Sequence, residues 1–150
     1  LLRPTTFGWR NLAVWPAQGA ERAPDAEEKP MPERLEPGNP SMVSVLYLDY
    51  ALERLLQIGI ERIEAHNRDL SEQVSAGLEG LQQKVISPKV RDRRSGNTCF
   101  AADDAHVLCE ALADREVLVW GEYGRVRVSG HLYNDSADVE RFLSVLQELI

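Results

Sequence analysis

The run Arg125-Val126-Arg127-Val128-Ser129-Gly130-His131-Leu132-Tyr133-Asn134-Asp135 holds the residues whose types and spacing could do chemistry. Alternating arginine and valine predicts a strand, with Val126 and Val128 on one face and Arg125 and Arg127 on the other. A guanidinium at the exit of a strand suits capture of a carboxylate. Its planar fork donates two parallel hydrogen bonds, and it stays charged at any working pH. An arginine on a solvated sheet face has the same spacing, so spacing leaves both readings of Arg127 open. His131 could face a cleft or bond to the backbone of its turn. Tyr133 and Asn134 fix the start of the final helix, since asparagine there can form a local side-chain turn. Trp120, at a strand end, could line a cleft mouth, although core packing is the better expectation for an aromatic there. His66 and His106 fall on helices without a partner motif and receive no role.

Several elements must position this run. A first helix starts near Pro40, a favoured early position, and reaches about Ile58. Its first half (Met42, Val43, Val45, Leu46, Leu48) is apolar nearly all round, which calls for deep burial. Gly59 interrupts the pattern. A second helix, Ile60 to Gln83, carries Ile63, Leu70, Val74, Leu78 and Leu81 on one stripe. Pro88 and the Arg91–Arg94 run make a loop, read as a solvated turn rather than a phosphate site. A strand at Asn97–Ala102, a helix at Asp104–Asp114 and a strand at Val117–Trp120 follow. A turn at Gly121–Gly124 then joins the last two strands into a hairpin. The final helix starts at Asp135 or Ser136, both good N-caps, and presents Val139, Phe142, Leu143, Leu146 and Leu149. The class is α+β, a small sheet with helices packed on one face.

Residues 1–40 read differently from 41–150. Phe7, Trp9, Leu12, Val14 and Trp15 lack sustained periodicity, and Pro24, Pro30, Pro32 and Pro37 lie among glutamates. The expectation is an extended, mobile N-terminal segment followed by a small C-terminal α+β domain. The two early tryptophans want a partner surface, and the chain opens on leucine rather than methionine. Both point to a piece of a longer protein. A net charge of −7 and a pI near 5.0 argue against a nucleic-acid surface. No run approaches the roughly 20 apolar residues of a membrane span. Cys99 and Cys109 form no Cys-x-x-Cys pair or His/Cys cluster, so no metal is expected, and free thiols suit a cytoplasmic location.

The Arg-x-Ser strand exit, the following Tyr133-Asn134 and the last helix resemble the closing segment of class V aminotransferases. That pyridoxal-phosphate group includes cysteine desulfurases and isopenicillin-epimerase-like proteins. The resemblance implies the small C-terminal domain of a fold type I enzyme, with Arg127 gripping the α-carboxylate of an amino-acid substrate. Phe7-Gly8-Trp9 resembles the segment after the family's cofactor lysine. Glu36-Pro37-Gly38-Asn39-Pro40 looks like its Glu-x-Gly-Thr-x turn, which implies that Gly38 and Asn39 approach the cofactor phosphate across a homodimer interface. Three departures matter. None of Lys29, Lys84 and Lys89 sits where the family places its Schiff-base lysine, which implies a missing N-terminal cofactor domain and a piece inactive alone. Asn39 replaces threonine, although an amide can still donate to phosphate. The Gly121–Gly124 turn holds no cysteine, which turns the expectation from desulfurase chemistry toward the epimerase-like or aminotransferase-like branch. The alternative from another class is a free-standing α+β module that dimerises or binds a small acidic ligand without catalysis.

The acidic, proline-rich stretch from Glu21 to Pro37 is expected to be cut first in limited proteolysis. Mass spectrometry of the earliest products checks this, and primary cleavage elsewhere would move the boundary.

Overall fold

The computed structural model describes residues 8–13 and 27–150. Their order is α1 (Met42–Ile58), α2 (Ile60–Gly80), β1 (Asn97–Ala101), α3 (Ala105–Ala113), β2 (Trp120–Glu122), β3 (Arg125–Ser129) and α4 (Ser136–Leu149). The contacts group the chain into two compact units, Leu1–Arg54 and Leu55–Ile150.

In the first unit the backbone is organised around a buried amide. Asn11 Oδ1 accepts from the Gly8 N–H at 2.9 Å, and its Nδ2 donates to the Arg34 carbonyl at 3.2 Å. Leu12 bridges Glu28, and Arg34 pairs with Glu28 at 3.0 Å. Residues 21–26 of the stretch expected to be mobile, together with Trp15, lie outside the described residues. From Glu27 onward the chain is held by these bonds. Ser41 then caps α1, its Oγ accepting from the Ser44 N–H at 3.4 Å.

The burial expected of α1 is not realised within this chain. The helix buries no residue, and Leu46 and Tyr47 remain 66% and 72% exposed. An all-round apolar helix demands a cover, and no described residue supplies it. Gly59 ends α1 at φ 97°, the left-handed region that glycine enters without a side-chain clash.

In the second unit β3 lies between β1 and β2 in an antiparallel sheet of order β1-β3-β2. Phe100 stands opposite Val126, and Gly121 faces Val126 from the other side. The strand period of two then sends Thr98, Phe100, Gly121, Val126 and Val128 to one face. Helices cover that face. Leu70, Val74 and Leu78 of α2, Leu112 of α3, and Val139, Phe142 and Leu146 of α4 close a core around Phe100 and Val126. The Ser71 and Thr98 hydroxyls, both buried, satisfy each other at 2.9 Å where α2 crosses β1. The α+β class with helices on one face is thus the observed architecture.

The strand expected over Val117–Trp120 is shifted. A two-residue turn at Tyr123 (φ 53°) and Gly124 (φ 71°) sets the hairpin, with both residues left-handed as such turns require. Trp120, Gly121 and Glu122 therefore pair with Arg127, Val126 and Arg125. Val117 is held instead by the end of α3, its N–H donating to the Leu112 carbonyl at 3.0 Å. That tie draws Val117–Val119 away from β3 and leaves Leu118 85% exposed.

Gly121 is where α3 comes closest to the sheet, since a Cβ there would strike Cys109 Sγ and the Ala105 carbonyl oxygen. Gly121→Ala is expected to destabilise the fold by about 1–3 kcal/mol, the usual range for overpacking. Urea denaturation checks it. Adding Cys109→Ala should recover only part of the loss, because the backbone oxygen cannot retreat.

Candidate functional site

The sheet face opposite the helices carries the candidate residues. Register aligns Cys99, Arg127 and Trp120 in one row across the sheet, and Ala101, Arg125 and Glu122 in the next. Arg127 is thus on the middle strand, exposed, and facing away from the core. Its guanidinium lies 5.2 Å from the Trp120 ring centroid, and that of Arg125 lies 6.0 Å from the same ring. Stacking on an aromatic face restricts a guanidinium while leaving its in-plane donors free. Neither arginine has a carboxylate within ion-pair distance among the described residues. Six other arginines pair with acids, among them Arg91 with Asp69 and Glu72, while Arg62 and Arg94 donate to backbone carbonyls.

Trp120 corrects the expectation of core packing. It is half-buried on the open face, because the hairpin turn places Gly121, not Trp120, against α3. Lys84 joins this face by a route the sequence hid. Its segment adds to the outer edge of β1, with Val85 opposite Phe100 and the Lys84 carbonyl accepting from the Ala101 N–H at 2.9 Å. Val85 shares the core face with Phe100, so parity puts Lys84 with Arg125 and Arg127. The cue in the sequence was the β-branched pair Val85-Ile86 after Lys84, too short to read as a strand.

Gly38 and Asn39 lie in the first unit, half-buried and exposed respectively, and Arg127 lies in the second. After β3 the His131 ring stacks on Tyr133 at 4.8 Å. The His131 N–H donates to Asn134 Oδ1 at 3.0 Å, the local asparagine turn expected here. Asn134 Nδ2 continues to Asp138 Oδ2 at 3.0 Å, and Asp135 and Asp138 cap α4 reciprocally. His66, given no role from sequence, ties α2 to this turn through Nε2 and the Asn134 carbonyl at 2.9 Å. The Arg91–Arg94 loop is the solvated turn expected. Arg91 and Lys89 bind acids of α2, and Arg94 donates to the Pro88 carbonyl.

A cavity of about 420 Å³ lies on the helix side, where Val117–Val119 part from Val128–Gly130, floored by Leu70, Val74 and Phe142. It contains neither Arg127 nor Trp120. Among the described residues no group of His, Cys, Asp or Glu could hold a metal ion, and no helix is long and apolar enough to cross a membrane. Both cysteines are free, and burial pushes the Cys109 thiol up.

With this geometry in hand, comparison with known proteins assigns the family. The model of the aminotransferase class-V family matches residues 19–142, so the chain belongs to that family. A probable cysteine desulfurase of Pyrococcus abyssi is 29% identical over 134 residues, covering 79% of this chain and 33% of that protein. A second probable cysteine desulfurase, from Mycobacterium leprae, is 36% identical over 96 residues, covering 60% and 22%. The apo cysteine desulfurase structure from Thermococcus onnurineus superposes with a TM-score of 0.82 at 25% identity, covering 98% of this chain and 39% of that one. The matches therefore span between about a fifth and two fifths of the length of these relatives. Beside the relatives named as desulfurases stands an uncharacterized aminotransferase of Schizosaccharomyces pombe, 28% identical over 116 residues, covering 77% of this chain and 29% of that protein.

The family is pyridoxal-phosphate-dependent, and the described residues fit that cofactor only in part. Lys89 is held by Glu79 at 2.8 Å, Lys84 is exposed at the sheet edge, and Lys29 belongs to the first unit. On the open face Arg125 and Arg127 have no ion-pair partner among the described residues, and the lysine nearest in register, Lys84, is exposed.

Hydrogen bonds from Asn134 and from the Asp135 N–H hold the Asp138 carboxyl below the usual aspartate range. A depressed native pKa gives stability that is present above the unfolded value and lost as pH falls through the native one. Asp138→Asn should therefore cost stability at about pH 6, and the gap to the parent should narrow progressively as pH falls below the ordinary aspartate value of about 3.9 toward the lowered native one. Denaturation curves across that pH range check this.

Proposed function

We propose that this chain is the C-terminal, substrate-closing part of a pyridoxal-phosphate-dependent class V enzyme that acts on an amino acid. The observation that carries the reading is Arg127, unpaired on the middle strand of the open sheet face and braced by Trp120. Its two outward donors suit a bidentate grip on an α-carboxylate. The rigid strand fixes where that carboxylate sits, and hence how the rest of the substrate is aimed. Pyridoxal phosphate, when bound, supplies the electron sink for bond breaking at the amino-acid carbon. In this reading the lysine that anchors it and most of its pocket belong to an N-terminal cofactor domain outside this chain.

Gly38 and Asn39 are assigned to the phosphate. A glycine allows close backbone approach, and the Asn39 amide can donate to a phosphate oxygen, across the interface of a homodimer. The exposed apolar surface of α1 supports a cover by the larger part of the enzyme or by a second subunit. The two-residue turn between β2 and β3 carries no cysteine, so sulfur transfer through a cysteine on that loop is not assigned. A reducing cytoplasm suits the two free thiols.

The test is Arg127→Lys in the assembled enzyme. Lysine keeps the charge but loses the paired donors, worth roughly 1.5–3 kcal/mol for a bond to a charged group. The expected outcome is about a tenfold to hundredfold loss in kcat/KM for an α-carboxylate substrate, with much less loss for the decarboxylated amine. Equal losses for both would make Arg127 structural and leave the chain a non-catalytic module.

A further inference from the structure

We propose that Arg125 forms a second anion position beside Arg127, so that the open face takes a dicarboxylate. In the enzyme this means an amino acid with an acidic side chain. The inference rests on the reading of Arg127 as the α-carboxylate clamp and extends it to substrate class.

The first observation is a carboxylate left alone. Glu122 stands directly opposite Arg125 in register and on the same face, yet the two form no ion pair. Cross-strand opposite charges ordinarily pair. Arg10, Arg34, Arg68, Arg91, Arg115 and Arg141 all lie within 4.0 Å of a carboxylate. Arg125 instead leans over Trp120, as Arg127 does from two residues along the same strand. The second observation is the charge of the face. With Lys84 on the sheet edge, Arg125, Arg127 and Lys84 meet Glu122 alone, in a chain whose net charge is −7.

Spacing selects the ligand. The backbone positions of residues two apart on a strand are separated by about 6.6–6.8 Å, and the two guanidiniums lie 5.2 and 6.0 Å from the one Trp120 ring centroid, so each can take its own carboxylate. The indole they share offers apolar surface for the methylene stem that joins two acids. Arg127 takes one carboxylate and Arg125 the other, while Trp120 orients both guanidiniums and touches the stem.

The test uses the full-length chain labelled with ¹⁵N, following the Trp120 indole N–H and the Nε–H signals of Arg125 and Arg127. Glutarate, acetate and inorganic phosphate are titrated at matched ionic strength, because exposed charges are screened by salt. Glutarate should shift all three signals saturably and bind about tenfold more tightly than acetate, the lower end expected for one added charge-assisted bond. Arg125→Gln should reduce glutarate to the affinity of acetate and leave acetate unchanged, and Arg127→Gln should weaken both. Arg93→Gln, which removes the same charge from an exposed loop, should change neither. The proposal is overturned if Arg125→Gln leaves glutarate affinity intact, if phosphate binds as tightly as glutarate, or if glutarate gives no saturable shift. In the first two cases the Arg127 clamp survives. Acetate binding that persists in Arg127→Gln would instead sink the clamp itself.

Discussion

The structure of the second unit depends on one constraint: a three-stranded sheet with β3 in the middle and only one face covered. Val126 has to enter the core, because Phe100 and Gly121 flank it and α2, α3 and α4 close over it. Complete burial of a valine or phenylalanine side chain contributes about 1.5–3 kcal/mol. Slipping β3 by one residue would forfeit that and bury two guanidiniums without partners. The apolar side of the strand thus fixes the polar side. Arg125 and Arg127 face outward because their neighbours are held inward.

Electrostatics refine this arrangement without creating it. Arg91 with Asp69 and Glu72, and Lys89 with Glu79, hold the loop after α2 against that helix. Such exposed pairs contribute little stability individually. Their effect is to occupy Lys89 and Arg91 with local acids, whereas Arg125 and Arg127 have no acid partner among the described residues. Trp120 matters for the same reason. A guanidinium stacked on an indole keeps its charge and its donors available, whereas one bound to glutamate does not.

The described cavity does not include Arg127, and α1 buries none of its residues. A chain that spans about a third of its Pyrococcus abyssi relative's length presents an apolar helix that buries none of its residues, and such apolar surface is costly in water unless something packs on it. The cavity that the chain does enclose lies on the other side of the sheet, where the ladder between β2 and β3 opens, and it bears on packing rather than on Arg127.

Periodicity and capping residues by themselves determined α1, α2, α4, the β3 alternation and the hairpin. Each is written in short-range pattern: the stripe of Leu70, Val74 and Leu78, the φ freedom of Gly59, the cap at Asp135. The outward placement of Arg127 was equally local, since a strand's two faces are settled by which residues are valine. Tertiary structure decided the rest. The start of β2 moved because the end of α3 holds Val117, a contact between elements that no window of sequence contains. Trp120 left the core because Gly121, lacking a side chain, was the residue that could approach α3. Lys84 reached the open face through pairing with β1, and His66 found Asn134 across the chain. Local pattern fixes what one segment does with its own backbone. Which segments meet, and therefore which side chains share a face, depends on long-range packing that only the folded chain brings about.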